Sequence, residues 1–236
     1  MGISIVIPAY REAENLAVLL PELQRVFQDV DHEIDIIDTM EPLDGTEAVC
    51  QKHGVNYFRR KGGNTYGDAI RTGFQVAGKD RILMMDADGS HMPSDARRMM
   101  EGCEPFDLTI GSRYVAEGKT DNPAILIFMS KVVNVCFRIA LGLKVKDISD
   151  SFRIYKAEDV KRLQLDCNNF DIVEEIIIKL ALYNAPYKIR EVPITFNKRM
   201  YGESKRDLVR FAFSYVQTIA RLVRIKRKAM KDTKHA

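Results

Sequence analysis

The sequence lacks the patterns that mark several common classes of protein. Its four cysteines are at least 31 residues apart and form no C-x-x-C pair, which argues against a zinc site or a disulfide framework. No uncharged apolar stretch approaches the roughly 18–20 residues that a membrane-spanning helix needs. We find no signal peptide at the N-terminus and no internal repeats. We therefore expect a cytoplasmic protein with reduced cysteines.

Two familiar phosphate-binding motifs are also missing. The Gly-rich segment 62–67 does not have the G-x-x-x-x-G-K-[ST] spacing of a P-loop. A sugar-1-phosphate nucleotidyltransferase would carry a Gly-rich motif directly after the first strand, where this chain has Pro8-Ala9-Tyr10-Arg11. Both absences argue against these two kinds of nucleotide enzyme.

The net positive charge of the chain comes from its C-terminal tail. The net charge of the chain is +3, but residues 206–236 hold nine Lys and Arg against two Asp, which leaves residues 1–205 at −4. The tail also carries apolar residues at helical spacing. A helix over residues 206–231 would lie on an anionic membrane surface, each nearby cation contributing about 1 kcal/mol. The alternative is that it packs on the protein's own sheet or on a second subunit.

The rest of the chain alternates between strand and helix patterns. Apolar runs predict strands at residues 3–8, 33–38, 55–58, 81–85 and 108–113, with helical periodicity over 12–27 and 68–76. Such alternation is typical of a parallel sheet flanked by helices. Ligands in open sheets of this kind bind beyond the carboxyl ends of the strands, where Pro8, Asp38, Asp86, Asp88 and Arg113 fall.

Two carboxylates follow the central strand, in Asp86-Ala87-Asp88-Gly89. Residues two apart point the same way if the strand stays extended, and Gly89 permits a sharp turn. Hard oxygen ligands in this position suit Mg²⁺ or Mn²⁺ carrying a diphosphate. A lone D-x-D is more often a solvated turn, so its interpretation depends on the rest of the chain.

Further motifs give the chain a specific resemblance. They lie at residues 6–16, 67–74, 86–88, 111–114, 151–155, 191–196 and 202–205. In this order they resemble family 2 glycosyltransferases of the GT-A fold, and among these the polyprenyl-phosphate sugar synthases such as dolichol-phosphate mannosyltransferase. The resemblance implies an α/β fold with a Rossmann-like, mostly parallel sheet, a glycosyltransferase domain at 1–205 and a basic amphipathic tail at 206–236.

The resemblance also implies a set of donor-site residues. Pro8, Ala9, Tyr10 and Glu12 would line the nucleotide pocket, Asp38 would contact the base or ribose, Asp86, Ala87 and Asp88 would hold sugar and metal, and Arg199 and Lys205 would close over the donor. Asp88 and Ser90 are the expected metal ligands, with water as the alternative to Ser90. We expect His91 to brace this loop rather than to bind the metal.

One segment departs from the family pattern. Residues 38–46 carry one acid and a reshaped loop where the family usually has two acids, a small-residue loop and Asp-Gly-Thr. The choice between a GDP-sugar and a UDP-sugar therefore stays open.

Cationic side chains are the candidates for binding the acceptor. A phosphate monoester, with a second pKa of about 6, is already an anion at neutral pH and needs no general base. Arg113 can grip phosphate oxygens bidentately, and we count it with Asp86 and Asp88 as catalytic. Arg153 and Lys131 are weaker candidates. The apolar residues 122–143 form either an interfacial helix that receives the lipid phosphate or a core helix.

The sequence thus favours an inverting, metal-dependent transferase that moves mannose from GDP-mannose to a polyprenyl phosphate on the cytoplasmic membrane face, with no nucleic-acid partner. One rival has a glycan acceptor, with Asp147, Asp150 or Glu174 as the base. A second rival is a non-catalytic sugar-nucleotide-binding protein that tethers partners to membranes. The second rival is disfavoured because the chain retains two carboxylates and three cationic residues of the family motifs, namely Asp86, Asp88, Arg113, Arg199 and Lys205.

Overall fold

A seven-stranded sheet forms the centre of the protein. The computed structural model describes residues 1–183, 186–201, 221, 223 and 224. The central strands are β1 (Ile3–Pro8), β2 (His32–Asp38), β3 (Asn56–Arg59), β4 (Arg81–Met84), β5 (Leu108–Ser112), β7 (Arg153–Lys156) and β8 (Ile189–Pro193). The short strands β6 (Lys119–Thr120) and β9 (Thr195–Phe196) pair with each other beside this sheet.

Helices cover both faces of the sheet. They are α1 (Ala13–Val26), α2 (Thr46–His53), α3 (Tyr66–Val76), α4 (Pro93–Met100), α5 (Ala124–Leu141), α6 (Ala157–Lys161) and α7 (Ile172–Tyr183). Successive side chains of a strand point to opposite faces, so Ile5 packs in the core under α1 and α4 while Val6 packs in the core under α3 and α7. Burial on both faces explains why these strands are continuous apolar runs.

The strand order is β3-β2-β1-β4-β7-β5-β8, and the pairs are parallel except those that β7 makes. The predicted mostly parallel sheet is confirmed. The sequence did not predict that β7 would lie antiparallel between β4 and β5, with Arg153 opposite both Met84 and Ile110. Because β7 runs in reverse, its first residue lies at the edge where β4 and β5 end. The segment 147–152 is therefore brought to the ligand-binding edge of the sheet.

Helix α5 has two different faces. Phe137 is buried in the core, whereas an apolar stripe lies 44–79% exposed, formed by Ile125, Phe128, Val132, Val135 and Ile139. The core interpretation describes the face that carries Phe137, and the exposed stripe is the face on which the interfacial interpretation remains a prediction. In the part of the chain that the structure describes, no helix is long and apolar enough to cross a bilayer.

Most of the predicted tail helix, like Lys205, lies outside the described residues. Arg221 contacts the Cys167 thiol, and its Nη2 atom lies 3.6 Å from Oε1 of the buried Glu175. At this position the tail lies against the start of α7. This contact fits the alternative in which the tail packs on the protein itself.

Candidate active site

The D-x-D loop is a tight turn beyond the end of β4. Asp86 and Asp88 are half-buried, and the Asp88 carboxylate accepts a hydrogen bond from the Ser90 N–H at 3.0 Å. Gly89 has φ of +79°, and a Cβ atom there would stand 2.6 Å from the Met200 side chain. Only glycine fits this backbone conformation and this close approach. The turn therefore holds both carboxylates at the sheet edge, as the sequence predicted.

The segment around Arg199 lies over this loop. The Arg199 guanidinium contacts the Glu12 carboxylate, and its Nε atom lies 3.4 Å from Asp88 Oδ2. The Met200 N–H donates to the Asp88 carbonyl at 3.0 Å, and the Tyr201 N–H donates to Asn15 Oδ1 at 3.1 Å. Burial raises the pKa of Glu12, against the lowering effects of Asn15 and Arg199. The structure thus brings Glu12, Asp88 and Arg199 together.

Pro8 ends β1 at the same edge, and Ala9 and Tyr10 begin the first loop there. A side chain that the sequence analysis did not assign, Arg60, supports this loop by donating from Nη2 to the Ala9 carbonyl at 2.5 Å. Arg60 is buried, and its other contacts are to the carbonyls of Asn64 and Thr65. The basic Gly-rich stretch that begins at Arg60 was the available signal, but its spacing did not show which backbone it would bind.

Asp38 ends β2 beside that loop. Its carboxylate is buried and accepts a hydrogen bond from the Tyr57 hydroxyl at 3.1 Å. Burial raises the pKa of Asp38, although the Thr39 N–H and the Tyr57 hydroxyl oppose the shift. The loop after Asp38 is held by the Met40 N–H, which donates to Asn64 Oδ1 at 2.8 Å. Tyr57 and Asn64 are two further neighbours of the predicted base pocket that the sequence analysis missed.

Arg113 lies in a cluster of carboxylates just after β5. Its Nε and Nη2 atoms grip Asp147 at 2.8 and 2.7 Å, and Nε lies 3.1 Å from Asp150 Oδ2. Nη2 also contacts Ser149 Oγ at 3.1 Å. Burial lowers the pKa of Arg113, but the two carboxylates outweigh it and raise the pKa. The fork that we expected to lie open for a phosphate is held by Asp147, and Nη1 makes no hydrogen bond to the described residues.

The structure corrects four other expectations about the acceptor side, one for Arg153 and three for the candidate bases. Arg153 is fully buried and donates to the carbonyls of Ile148, Asp150 and Val173, so it supports the loop and cannot bind an acceptor. Asp147 and Asp150 are buried partners of Arg113 rather than accessible bases.

Asp150 shows why such a carboxylate would be a poor base. Burial would raise its pKa, but Arg113 lowers it to about 2. Glu174 is also fully buried. Lys131, by contrast, is exposed, with Nζ 5.6 Å from the centre of the Tyr114 ring beside Arg113.

His91 lies between the two halves of the site. It is fully buried, its Nδ1 accepts a hydrogen bond from the Asp86 N–H at 3.0 Å, and its Nε2 lies 3.2 Å from Asp150 Oδ1. The ring stacks on Phe152 with the centroids 4.4 Å apart. This geometry agrees with the expected bracing role.

The carboxylates of this site can hold a divalent cation only if further ligands complete its coordination. Within residues 1–183 and 186–201 and the three tail positions, no group of three or more His, Cys, Asp and Glu is arranged to hold a metal alone. The half-buried carboxylates of Asp86 and Asp88 are hard oxygen donors of the kind that Mg²⁺ and Mn²⁺ prefer. They fit an ion whose remaining ligands are diphosphate oxygens and water.

Comparison with a solved structure supports the fold. The chain superposes on glucosyl-3-phosphoglycerate synthase from Mycobacterium tuberculosis with a TM-score of 0.72 and 16% sequence identity, over 94% of this chain and 77% of that one. That protein was crystallised with Mn²⁺, uridine diphosphate and phosphoglyceric acid. At this identity the likeness shows a common GT-A architecture.

Sequence comparisons are more specific. The chain is 34% identical over 232 residues to dolichol-phosphate mannosyltransferase from Pyrococcus furiosus, covering 95% of this chain but only 64% of that protein. It is 32% identical over 217 residues to undecaprenyl-phosphate mannosyltransferase from Micrococcus luteus, covering 87% of each. The sequence profile of glycosyl transferase family 2 matches residues 4–164, more than half of the chain. With its D-x-D loop at the carboxyl edge of a mostly parallel sheet, the chain belongs to glycosyl transferase family 2.

Proposed function

We propose that this protein transfers mannose from GDP-mannose to a polyprenyl phosphate, in a metal-dependent reaction that inverts the anomeric carbon. The observation that carries the proposal is the meeting of two sites at one sheet edge. Glu12, Asp88 and Arg199 form the donor side, and Arg113 with its carboxylates forms the acceptor side. Relatives that act on dolichyl and undecaprenyl phosphates support the same assignment by name.

On the donor side, the carboxylates of Asp86 and Asp88 would orient the sugar and hold Mg²⁺ or Mn²⁺, with Ser90 or water as a further ligand. When bound, the ion supplies charge neutralisation for the departing diphosphate. Pro8, Ala9, Tyr10 and Asp38 receive the nucleoside. Arg199 would contribute positive charge to the diphosphate, and we propose the same role for Lys205, which lies outside the described residues.

On the acceptor side, the nucleophile is a phosphate oxygen that is already charged near neutral pH. It needs positioning and partial charge compensation, which Arg113 Nη1 and the exposed Lys131 provide. The engagement of Asp147 and Asp150 with Arg113 and the burial of Glu174 weaken the rival with a glycan acceptor, because that chemistry needs an accessible base.

The lipid acceptor implies a membrane surface. The exposed stripe of α5 includes Phe128 and Val135, which lie one helical turn on either side of the exposed Lys131. An apolar surface beside a phosphate-binding cation suits a lipid phosphate that stays partly in the bilayer. We propose that the protein works peripherally on the cytoplasmic face, with α5 against the lipid.

The test uses the full chain with radiolabelled GDP-mannose or UDP-hexoses, Mn²⁺ or Mg²⁺, and undecaprenyl or dolichyl phosphate in detergent. We expect label in the organic extract from GDP-mannose, lost with EDTA and retained by the surface variant Asp29→Asn. Transfer from a UDP-hexose alone would change the donor, and transfer to saccharides alone would establish the glycan acceptor. Nucleotide binding without any transfer would favour the non-catalytic tether.

A further inference from the structure

A buried chain of contacts joins the donor loop to the acceptor arginine. It begins at the Asp86 N–H, which donates to His91 Nδ1 at 3.0 Å. A ring nitrogen that accepts this bond carries no proton, so the proton of a neutral His91 is on Nε2. Nε2 lies 3.2 Å from Asp150 Oδ1. A neutral histidine therefore carries its N–H on the ring nitrogen next to Asp150, at ion-pair distance but without the geometry of a hydrogen bond, and offers its acceptor to the D-x-D backbone.

Asp150 continues the chain on its other side. Its Oδ2 atom lies 3.1 Å from Arg113 Nε, and Oδ1 also accepts the Phe152 N–H at 2.9 Å. Asp147 already binds Nε and Nη2 of the same guanidinium and accepts the Arg113 N–H at 3.0 Å. One carboxylate is thus enough to orient Arg113. We attribute the presence of the second carboxylate, that of Asp150, to its contact with His91 on the side away from Arg113.

Aromatic packing runs parallel to this polar chain. The Phe196 ring lies edge-on to His91, with centroids 5.4 Å apart, and the Arg113 Cζ atom is 5.4 Å from the same ring centre. Phe196 directly precedes Asn197, whose N–H donates to the Ser90 carbonyl at 3.0 Å. His91 and Arg113 are therefore packed against one surface, which limits their independent movement.

We propose that Asp150 is a positioning residue that, through His91, sets the D-x-D loop and Arg113 at a fixed separation. The acceptor part of this inference rests on the function proposed above. In-line transfer needs the sugar carbon and the acceptor oxygen within about 3–3.5 Å, and small misplacements are costly. A rigid buried link between the groups that hold the two substrates meets this requirement.

The first test asks whether a change on the acceptor side is felt on the donor side. Asp150→Asn keeps the shape of the side chain but removes its charge, and Asp150 has no contact with Asp88. We expect this variant to weaken Mn²⁺-dependent binding of GDP by roughly three- to tenfold in calorimetry, with UDP as the alternative probe. Unchanged nucleotide affinity would overturn the proposal.

The second test is a double-variant cycle on transfer to polyprenyl phosphate. Asp150→Asn and His91→Phe should each lower kcat/KM for the acceptor by about tenfold. The double variant should lose about the same tenfold, because either change alone already breaks the link. A loss near one hundredfold would mean that the two residues act independently and would refute the link. His91→Gln, which retains an amide acceptor and donor, should recover part of the activity.

A matched control separates positioning from general destabilisation. Ile3→Val removes a methylene group from the core at the end of β1 that is far from the site. If its melting temperature matches that of Asp150→Asn, it should still leave both nucleotide affinity and kcat unchanged. Loss of activity in this control, in step with stability, would assign the Asp150 effects to folding. Absence of transfer by the unaltered protein would refute the proposed function, and the nucleotide-binding test would still decide the link.

Discussion

The Asp88 carboxylate is the side chain on which the proposed reaction depends most directly. We expect Asp88→Asn to lower transfer by roughly a hundredfold or more, because the proposed metal site loses the negative charge of one ligand. Folding should change little, since the residue is half-buried at a loop and contributes little to packing. Activity and melting temperature measured together check this, with Asp29→Asn as the surface control. Full activity of the variant in EDTA would contradict the metal-dependent reaction.

The geometry of Arg113 makes replacement by lysine a severe change. A lysine has one point charge and cannot bind Asp147 along two nitrogens while offering a third to an acceptor. We expect Arg113→Lys to lower turnover by about tenfold or more, and to weaken GDP binding by no more than Asp150→Asn does, because Arg113 acts on the donor side only through Asp150. Steady-state kinetics with varied lipid phosphate and calorimetry with GDP give the two values. If turnover stays the same, Lys131 becomes the better candidate for the acceptor.

At the scale of elements, the exposed stripe of α5 gives a direct test of membrane contact. Phe128 is 64% exposed, so Phe128→Asp should cost little stability. It should reduce flotation with anionic liposomes and raise KM for a long-chain lipid phosphate. Val18→Asp on α1, at a position 48% exposed on another surface, is the matched control. Equal flotation of all three proteins would show that α5 does not contact the bilayer.

The elements also show what local sequence can and cannot predict. Strands β1, β2, β4 and β5 were predictable because burial on both faces gives continuous apolar runs. The place of β7 was not, because an antiparallel pairing between β4 and β5 depends on contacts about 40 to 75 residues away along the chain. The sequence alone could also not show that Asp147 and Asp150 are paired, so both were predicted as possible catalytic bases. Their pairing with Arg113 arises only when β7 brings their loop to the sheet edge.

At the scale of the whole molecule, one buried acid links stability to pH. Asp35 on β2 is buried, and its Oδ2 atom makes no hydrogen bond to the residues that the structure describes. Burial raises the pKa of Asp35 to about 6, against the opposing hydrogen bond from Asn56. The folded state therefore binds a proton more tightly than the unfolded state does. Its free energy of unfolding falls as the pH rises from about 4 to about 6.

Removing this ionisation should stabilise the protein at neutral pH. We expect Asp35→Asn to raise the free energy of unfolding by roughly 1–3 kcal/mol at pH 7.5 and by much less at pH 4.5. Urea denaturation at the two pH values measures the difference, with the exposed Asp29→Asn as control. An equal effect at both pH values would show that the asparagine acts through packing rather than through charge.

The contact of Arg199 with Glu12 and Asp88 has a consequence for how the donor enters. Arg199 is an internal counterion that compensates part of the negative charge of these two carboxylates. A nucleotide that arrives with its cation brings both signs of charge at once. The cation would take over Asp88, and the released guanidinium would find a new anion in the diphosphate. With the proposed donor, entry would be an exchange of ion-pair partners, in which the total charge of the pocket hardly changes.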